Sequence, residues 1–323
     1  MSTAPRDLSA RLRSLGLRKI LLKQEEMIEA AARRERPTVR GHIHSQRAFF
    51  YSTLLALGKA DARPKELKVA GNSSFGFHCK ALHIPARIAL SVIPVLAQLE
   101  SLRLSVSPGS NVGPVLCPSL TGVKKPQGIS TYDVRVFLQH VTRLHNLSLT
   151  LNSLENLYDG FVEWLASVPA SEGATLGALP QSPPAITFSY LQELSLRLIY
   201  GIRVQALLSV ARNFAPTLQK LQLHQVHLET RLQDHASTPR APGSVWVEFL
   251  KSLETELSDE LRHLHLRDVT ETEHIGLTHH TPRAPRDVKF HKGQKHYRTC
   301  LYSGPAMKQA LEAMVHYIEG DTS

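Results

Sequence analysis

Fifteen polar side chains stand beside leucines at a spacing that gives them a common direction. They are Ser101, Arg103 and Ser105; Asn146, Ser148 and Thr150; Glu193, Ser195 and Arg197; Lys220, Gln222 and His224; and His263, His265 and Arg267. Each set alternates with leucines, as in Leu191-Gln-Glu-Leu-Ser-Leu and Leu261-Arg-His-Leu-His-Leu. Alternate residues of a strand face opposite sides, so burying the leucines turns all of these polar groups to the other side. Their chemistry is hydrogen bonding and charge pairing with a large partner. We take Arg103, Ser148, Ser195, Arg197, Gln222, His224, His265 and Arg267 as the candidate partner-binding residues. The rows lack the aromatic anchors that dominate many interfaces, which leaves part of the contact energy to the loops.

Other chemistries fit less well. His274, His279, His280, His291 and His296 lie near Cys300, and imidazole with thiolate can ligate zinc. The run His291-x4-His296-x3-Cys300 has no finger spacing and no evident fourth ligand, so no metal is expected. Lys289, Lys292, Lys295 and Arg298, interleaved with Phe290 and Tyr297, could touch phosphates and stack on bases. No nucleic-acid-binding domain pattern accompanies them, and a basic solvated loop is the preferred reading. Dinucleotide, phosphate-loop, zinc-protease and kinase signatures are absent. The loop Gly71-Asn-Ser-Ser-Phe-Gly76 does not match a hydrolase nucleophile elbow. A triad assembled from distant residues would not be visible in sequence. The expectation is a protein that is not an enzyme, with no catalytic residue and no cofactor.

The elements that must carry the polar rows follow from the leucines. Triplets of the form Leu-x-x-Leu-x-Leu recur at Leu99, Leu102, Leu104; Leu144, Leu147, Leu149; Leu191, Leu194, Leu196; Leu218, Leu221, Leu223; and Leu261, Leu264, Leu266. A fainter copy is Pro64, Leu67, Val69. The intervals are 45, 47, 27 and 43 residues. The shortest matches one leucine-rich repeat, and the others read as the same unit with inserted loops. A helical stripe precedes each strong triplet: Ile88, Val92, Val95, Leu96; Val134, Phe137, Leu138, Val141; Phe161, Trp164, Leu165, Val168; Val204, Leu207, Leu208, Ala211; and Trp246, Phe249, Leu250, Leu253. Parallel strands need such crossovers. The expected fold is therefore α/β: an irregular leucine-rich-repeat-like solenoid in which parallel strands alternate with helices.

Two units are expected. Residues 1–59 form an N-terminal helical segment and cap, with a break over Pro37–Ile43 and a helix marked by Phe50, Leu54 and Leu57. Residues 60–323 form the solenoid, with insertions near 107–130, 170–185, 230–243 and 271–300 and a C-terminal capping helix over 304–319. Solenoid ends must be covered.

The net charge of +10 is localised. Residues 1–47 carry eleven Lys/Arg against five Asp/Glu, and residues 281–300 carry six against one. The rest of the chain is near neutral. The alternative to a protein-binding module is thus a nucleic-acid-associated protein acting through basic segments 1–47 and 281–300. Nucleic acid is the less favoured partner. Cys79, Cys117 and Cys300 are widely spaced and odd in number, which suits a reducing compartment, cytoplasmic or nuclear. The basic, acid-poor start makes a mitochondrial location a minor reading. The apolar stretch Ile84–Leu99 is too short to span a membrane and holds Pro85, Arg87 and Pro94.

These triplets and the helix before each one resemble leucine-rich repeats, and the long uneven units most resemble the repeat region of fungal F-box-type leucine-rich proteins. That resemblance implies a protein-interaction role, with substrate recognition in ubiquitin transfer as its most specific form and ubiquitin-ligase subunits as possible partners. Two features depart from the pattern. Where the family places Asn or Cys, three residues after the last leucine, this chain has Ser107, Asn152, Ile199, Val226 and Val269. Residues 1–50 also contain no Leu-Pro pair with which an F-box would open.

Overall fold

The computed structural model describes residues 19–22, 39–69, 77–107, 131–151, 160–167, 183–229, 244–257, 259–271, 289–292 and 298–320. They form an α/β fold with a mostly parallel open sheet. The strands are β1 (Lys19–Leu22), β2 (Glu66–Val69), β3 (Phe77–His78), β4 (Ser101–Ser107), β5 (Asn146–Leu151), β6 (Glu193–Arg203), β7 (Lys220–Glu229), β8 (His263–Glu271), β9 (Lys289–Lys292) and β10 (Arg298–Ser303). The α-helices are α1 (Val39–Lys59), α2 (Ala86–Leu96), α3 (Tyr132–Gln139), α4 (Phe161–Ala166), α5 (Val204–Phe214), α6 (Val245–Leu257) and α7 (Met307–Gly320).

The sheet order is β1-β2-β4-β5-β6-β7-β8-β10-β9, with β3 on the same edge of β4 as β2. Pairing is parallel from β1 to β8, while β10 runs antiparallel to β8 and β9 antiparallel to β10. From β1 to β8 the order never reverses. Right-handed crossovers that always step one way put every helix on one side of the sheet. A doubly wound sheet reverses, and its ligand crevice opens at the reversal. This topology has no such crevice among the described strands.

Burial agrees with one covered face. Leu67, Leu102, Leu147, Leu194, Leu221 and Leu264 stand opposite one another strand by strand, and so do Val69, Leu104, Leu149, Leu196, Leu223 and Leu266. All are buried, and the helix residues Phe50, Val92, Phe137, Trp164, Leu207, Phe249 and Leu311 belong to the same core. Each sealed leucine contributes about 1.5–3 kcal/mol. The faint triplet at Leu67 is thus a full rung.

A second regularity lies in the backbone just before each strand. The carbonyl of Lys65 accepts from the amides of Glu100 and Ser101, and that of Glu100 from His145 and Asn146. The pattern passes on through His145, Gln192 and Gln219 to Arg262, whose carbonyl accepts from Gly304. One carbonyl holding two successive amides sets the strands in register before any side chain meets another. Neighbouring helices are tied as well: Arg212 grips Glu256 with two nitrogens, and Gln205 Nε2 donates to Glu248 at 2.9 Å, both between α5 and α6.

The structure corrects several expectations. Lys19–Leu22 is a strand paired with β2, so the N-terminal segment is not helical there. Helix α1 begins at Val39 and runs through the expected break, of which only Pro37 and Thr38 remain ahead of it. The 271–300 region is not all loop, because β8 reaches Glu271 and β9 and β10 follow as an antiparallel pair. A backbone amide that reaches a free sheet edge gains a partner, and the basic composition that suggested a solvated loop does not prevent this. The Gly71–Gly76 loop, Cys117, Asn152 and His274, His279, His280 and His296 lie outside the described residues. So do most of the four insertions.

Strands β6, β7 and β8 run past their triplets through a shared left-handed step at Leu198, Gln225 and Asp268, with φ of 56°, 54° and 52°. The step adds one residue, so the next buried position falls three residues beyond the last leucine. Ile199, Val226 and Val269 fill it, all buried. In these strands the third residue after the last leucine is thus an apolar rung of the core.

Gly58 is where α1 meets α2. A Cβ there would stand 2.2 Å from the Ser91 carbonyl oxygen, a backbone atom that cannot turn aside. Gly58→Ala should therefore lower stability by about 1–3 kcal/mol, overriding the roughly 1 kcal/mol that alanine gains in helix propensity. Urea denaturation checks this. A raised midpoint would show that the helices do not touch there.

Candidate functional site

The pleat that buries the leucines presents the alternate residues on the opposite face, which no described helix covers, and the strand register sorts them into three rows. The first runs Glu66, Ser101, Asn146, Glu193, Lys220, His263 and Ser303. The second runs Lys68, Arg103, Ser148, Ser195, Gln222, His265 and Leu301. The third runs Ser105, Thr150, Arg197, His224 and Arg267. All eight candidate residues therefore share one face. Arg103, Ser148, Ser195, Gln222 and His265 make one straight row, and Arg197, His224 and Arg267 adjoin its C-terminal end. Arg103 stands apart, four strands from His265, and reaches toward Glu66 at 3.8 Å.

The C-terminal half of the face holds a patch of imidazole and guanidinium groups. Arg197 Nε and Nη2 lie 3.1 and 2.8 Å from His224 Nδ1. A guanidinium only donates, so Nδ1 is the acceptor and the imidazole proton sits on Nε2. That Nε2 is buried with no hydrogen-bond partner among the described residues. His224 and His265 rings meet edge-on at 4.6 Å, and His265 and His263 at 6.4 Å. His263 Nδ1 contacts Ser303 Oγ, and its Nε2 is also buried and unpartnered among the described residues. Arg267 lies 3.4 Å from the carboxylate of its neighbour Asp268, whose amide donates to Thr299 Oγ1. Lys220 and Glu193 pair at 3.2 Å on the patch border.

His224 is only 9 % exposed, although it lies on the polar face of the sheet. Arg197 on one side and His265 on the other cover it. Burial, then the charges of Arg197, His265 and Arg267, push the His224 imidazole down to about 4. Burial also lowers His265, helped by His263, Arg267 and Arg197, and lowers His263, helped by Lys220. The patch is thus a set of neutral imidazoles held between permanent cations. Sequence reasoning chose His224 and His265 and passed over His263. Its place in the first row was legible, but its closeness to the other two rings was not.

A second titratable group lies at the other end of the fold. His83 Nδ1 stands 3.3 Å from Asp133, near Cys79. A cysteine nucleophile needs a lowered pKa. Burial and the Asp133 charge instead push the Cys79 thiol up to about 11, so this trio does not read as an acyl-transfer site. Cys300 is buried in β10, where it faces Leu266 across the strands. Among the described residues no group of three or more His, Cys, Asp or Glu is arranged to hold a metal ion. Among them, too, no helix is long and apolar enough to cross a membrane.

Compared with known proteins, the chain matches no protein-family model and no curated protein. The reading of its function rests on its own residues.

The three imidazoles make a pH prediction. Their folded pKa lies below the unfolded value, so the unfolded chain binds more protons between about pH 6.5 and about 4, the value for His224. Stability is present above that window and lost as pH falls through it. His224→Gln should flatten part of this loss, as read by urea midpoints from pH 7.5 to 4.5. Parallel curves for the two proteins would show that His224 is not held neutral.

Proposed function

We propose that the chain is a leucine-rich-repeat-like solenoid working as a non-enzymatic protein-interaction module, with the uncovered sheet face as its contact surface. One observation carries the reading: three in-register rows of mostly polar residues cross the sheet on the face opposite the buried leucines, which among the described residues no helix covers. Repeating folds use such surfaces for extended partners. The recurring carbonyl that seats two amides before successive strands supports a repeat architecture, because one local geometry is reproduced at each junction.

Substrate recognition in ubiquitin transfer is the most specific version of this role. It rests on the likeness of the triplets to leucine-rich repeats of the F-box type. The competing reading, nucleic-acid association through segments 1–47 and 281–300, makes a different demand. Counterion release makes such binding fall steeply with salt.

Arginine at Ser148 and Ser195 would fill the middle of the face without touching the core, since both side chains lie on the uncovered side and are partly exposed. The double variant Ser148→Arg/Ser195→Arg should keep the wild-type melting temperature and lose the native partner. A photo-crosslinking residue at Gln222 in native cells reads this out, with the captured proteins scored for ubiquitin-ligase subunits. Capture that survives the double variant would remove the face from the account. Capture of nucleic acid that disappears at raised salt would favour the competing reading.

A further inference from the structure

The charged half of the open face has a shape of its own. Arg197 and Arg267 flank His224 on the strands to either side, about 10 Å apart at twice the interstrand spacing. The Arg197 guanidinium is given over to an imidazole rather than a carboxylate. Among the described residues, the acid paired with Arg267 is its own neighbour Asp268. His224 Nε2 and His263 Nε2 are buried donors or acceptors without partners among the described residues. Leaving such a group unsatisfied costs stability, and it persists where something else answers it. What answers guanidinium and imidazole N–H groups together is an anionic oxygen.

We propose that Arg197, His224, His263, His265 and Arg267 seat the carboxylates of an acidic, extended segment of a protein partner. This rests on the open face being the contact surface. Charge complementarity selects the occupant. A second copy of this chain, at net +10, is a poor match. A single-stranded nucleic acid would look for Phe, Tyr or Trp platforms, and the three rows hold none. The rows also keep Glu66 and Glu193, which repel a phosphate backbone but leave room for a peptide carrying only a few acids.

The charged groups around the patch fix the pH behaviour. His224 is faced by Arg197 from β6 and by His265 and Arg267 from β8. His265 is faced by His263, Arg267, Arg197 and Asp268, and His263 by Lys220, Glu193 and Ser303. Burial first, and then the neighbouring cations, press these imidazoles toward the neutral form. A docked carboxylate opposes the charge part of that pressure and favours the protonated ring, so binding takes up protons and tightens as pH falls from 8 to 6, where the peptide's own carboxylates stay ionised.

The test is fluorescence anisotropy of a labelled Gly/Ser octapeptide carrying three glutamates against the full chain at low salt. Arg197→Gln/Arg267→Gln should weaken binding at least about ten-fold. Lys59→Gln/Lys308→Gln, which removes the same charge from helices α1 and α7, should change it by less than about two-fold. Affinity should rise from pH 8 to pH 6. Equal losses in the two double variants, no binding by the wild-type chain, or no pH dependence would each overturn the proposal. Stronger competition by an oligothymidylate of equal length would overturn it in favour of nucleic acid. Retention of the native partner by Arg197→Gln/Arg267→Gln, with loss in Ser148→Arg/Ser195→Arg, would sink the acidic-segment proposal and leave the contact face standing. Retention in both would sink both.

Discussion

Each strand of the parallel ladder from β4 to β8 is entered through the same exchange: two successive amides share the carbonyl that precedes the neighbouring strand. Everything else depends on that registration. It places leucine opposite leucine, so that a continuous apolar face is sealed under the helices. It places polar residue opposite polar residue on the other face, because a pleated strand cannot do one without the other. A slip of a single residue would exchange the two faces. The rows of the open face are therefore a consequence of the core rather than a separate invention.

That dependence bears on function. The residues of the open face contribute little to sealing the core and are free to vary in chemistry. They do so along the sheet. Around β4 and β5 the rows are mostly hydroxyl and amide. From β6 to β8 they turn to guanidinium and imidazole, and His224 is buried among them at the cost of its charge. A core-facing histidine would need no such surroundings. Two permanent cations, Arg197 and Arg267, stand on the strands to either side of the neutral His224 imidazole. The antiparallel β10 closes this end, supplying Ser303 to His263 and Thr299 to the Asp268 amide. The left-handed steps at Leu198, Gln225 and Asp268 lie just beyond the third row.

Much of this was legible in the residues. The strong triplets lie at the strands, each with its leucines in register, and the helical stripes that fall within the described residues pack in or against the core. Period-two and period-3.6 patterns are strong signals when one face is buried. Other features were not legible. The strand Lys19–Leu22 gave no period-two signal against its Arg- and Leu-rich surroundings, and its pairing with β2 is a long-range event. The hairpin formed by β9 and β10 was hidden by charge, since an edge strand keeps a polar composition. The left-handed steps fall on Leu, Gln and Asp, with no glycine to mark them. Among the candidate site residues, common direction followed from alternation alone. The nearness of Arg197 to His224, and of His224 to His265, needed the register, which no spacing within one strand encodes.

The registration is open to a direct chemical measurement. Ser148 and Ser195 face each other across β5 and β6, at about the 4.8 Å strand separation, within the span a disulfide bridges. Ser148 and Gln222 share the row but lie two strands apart, at about 10 Å and beyond that span. Cysteines placed at these pairs can be oxidised in the folded protein and the bridges mapped by mass spectrometry. The account predicts a bridge in Ser148→Cys/Ser195→Cys and none in Ser148→Cys/Gln222→Cys. A bridge in the second pair, or failure of the first, would contradict it.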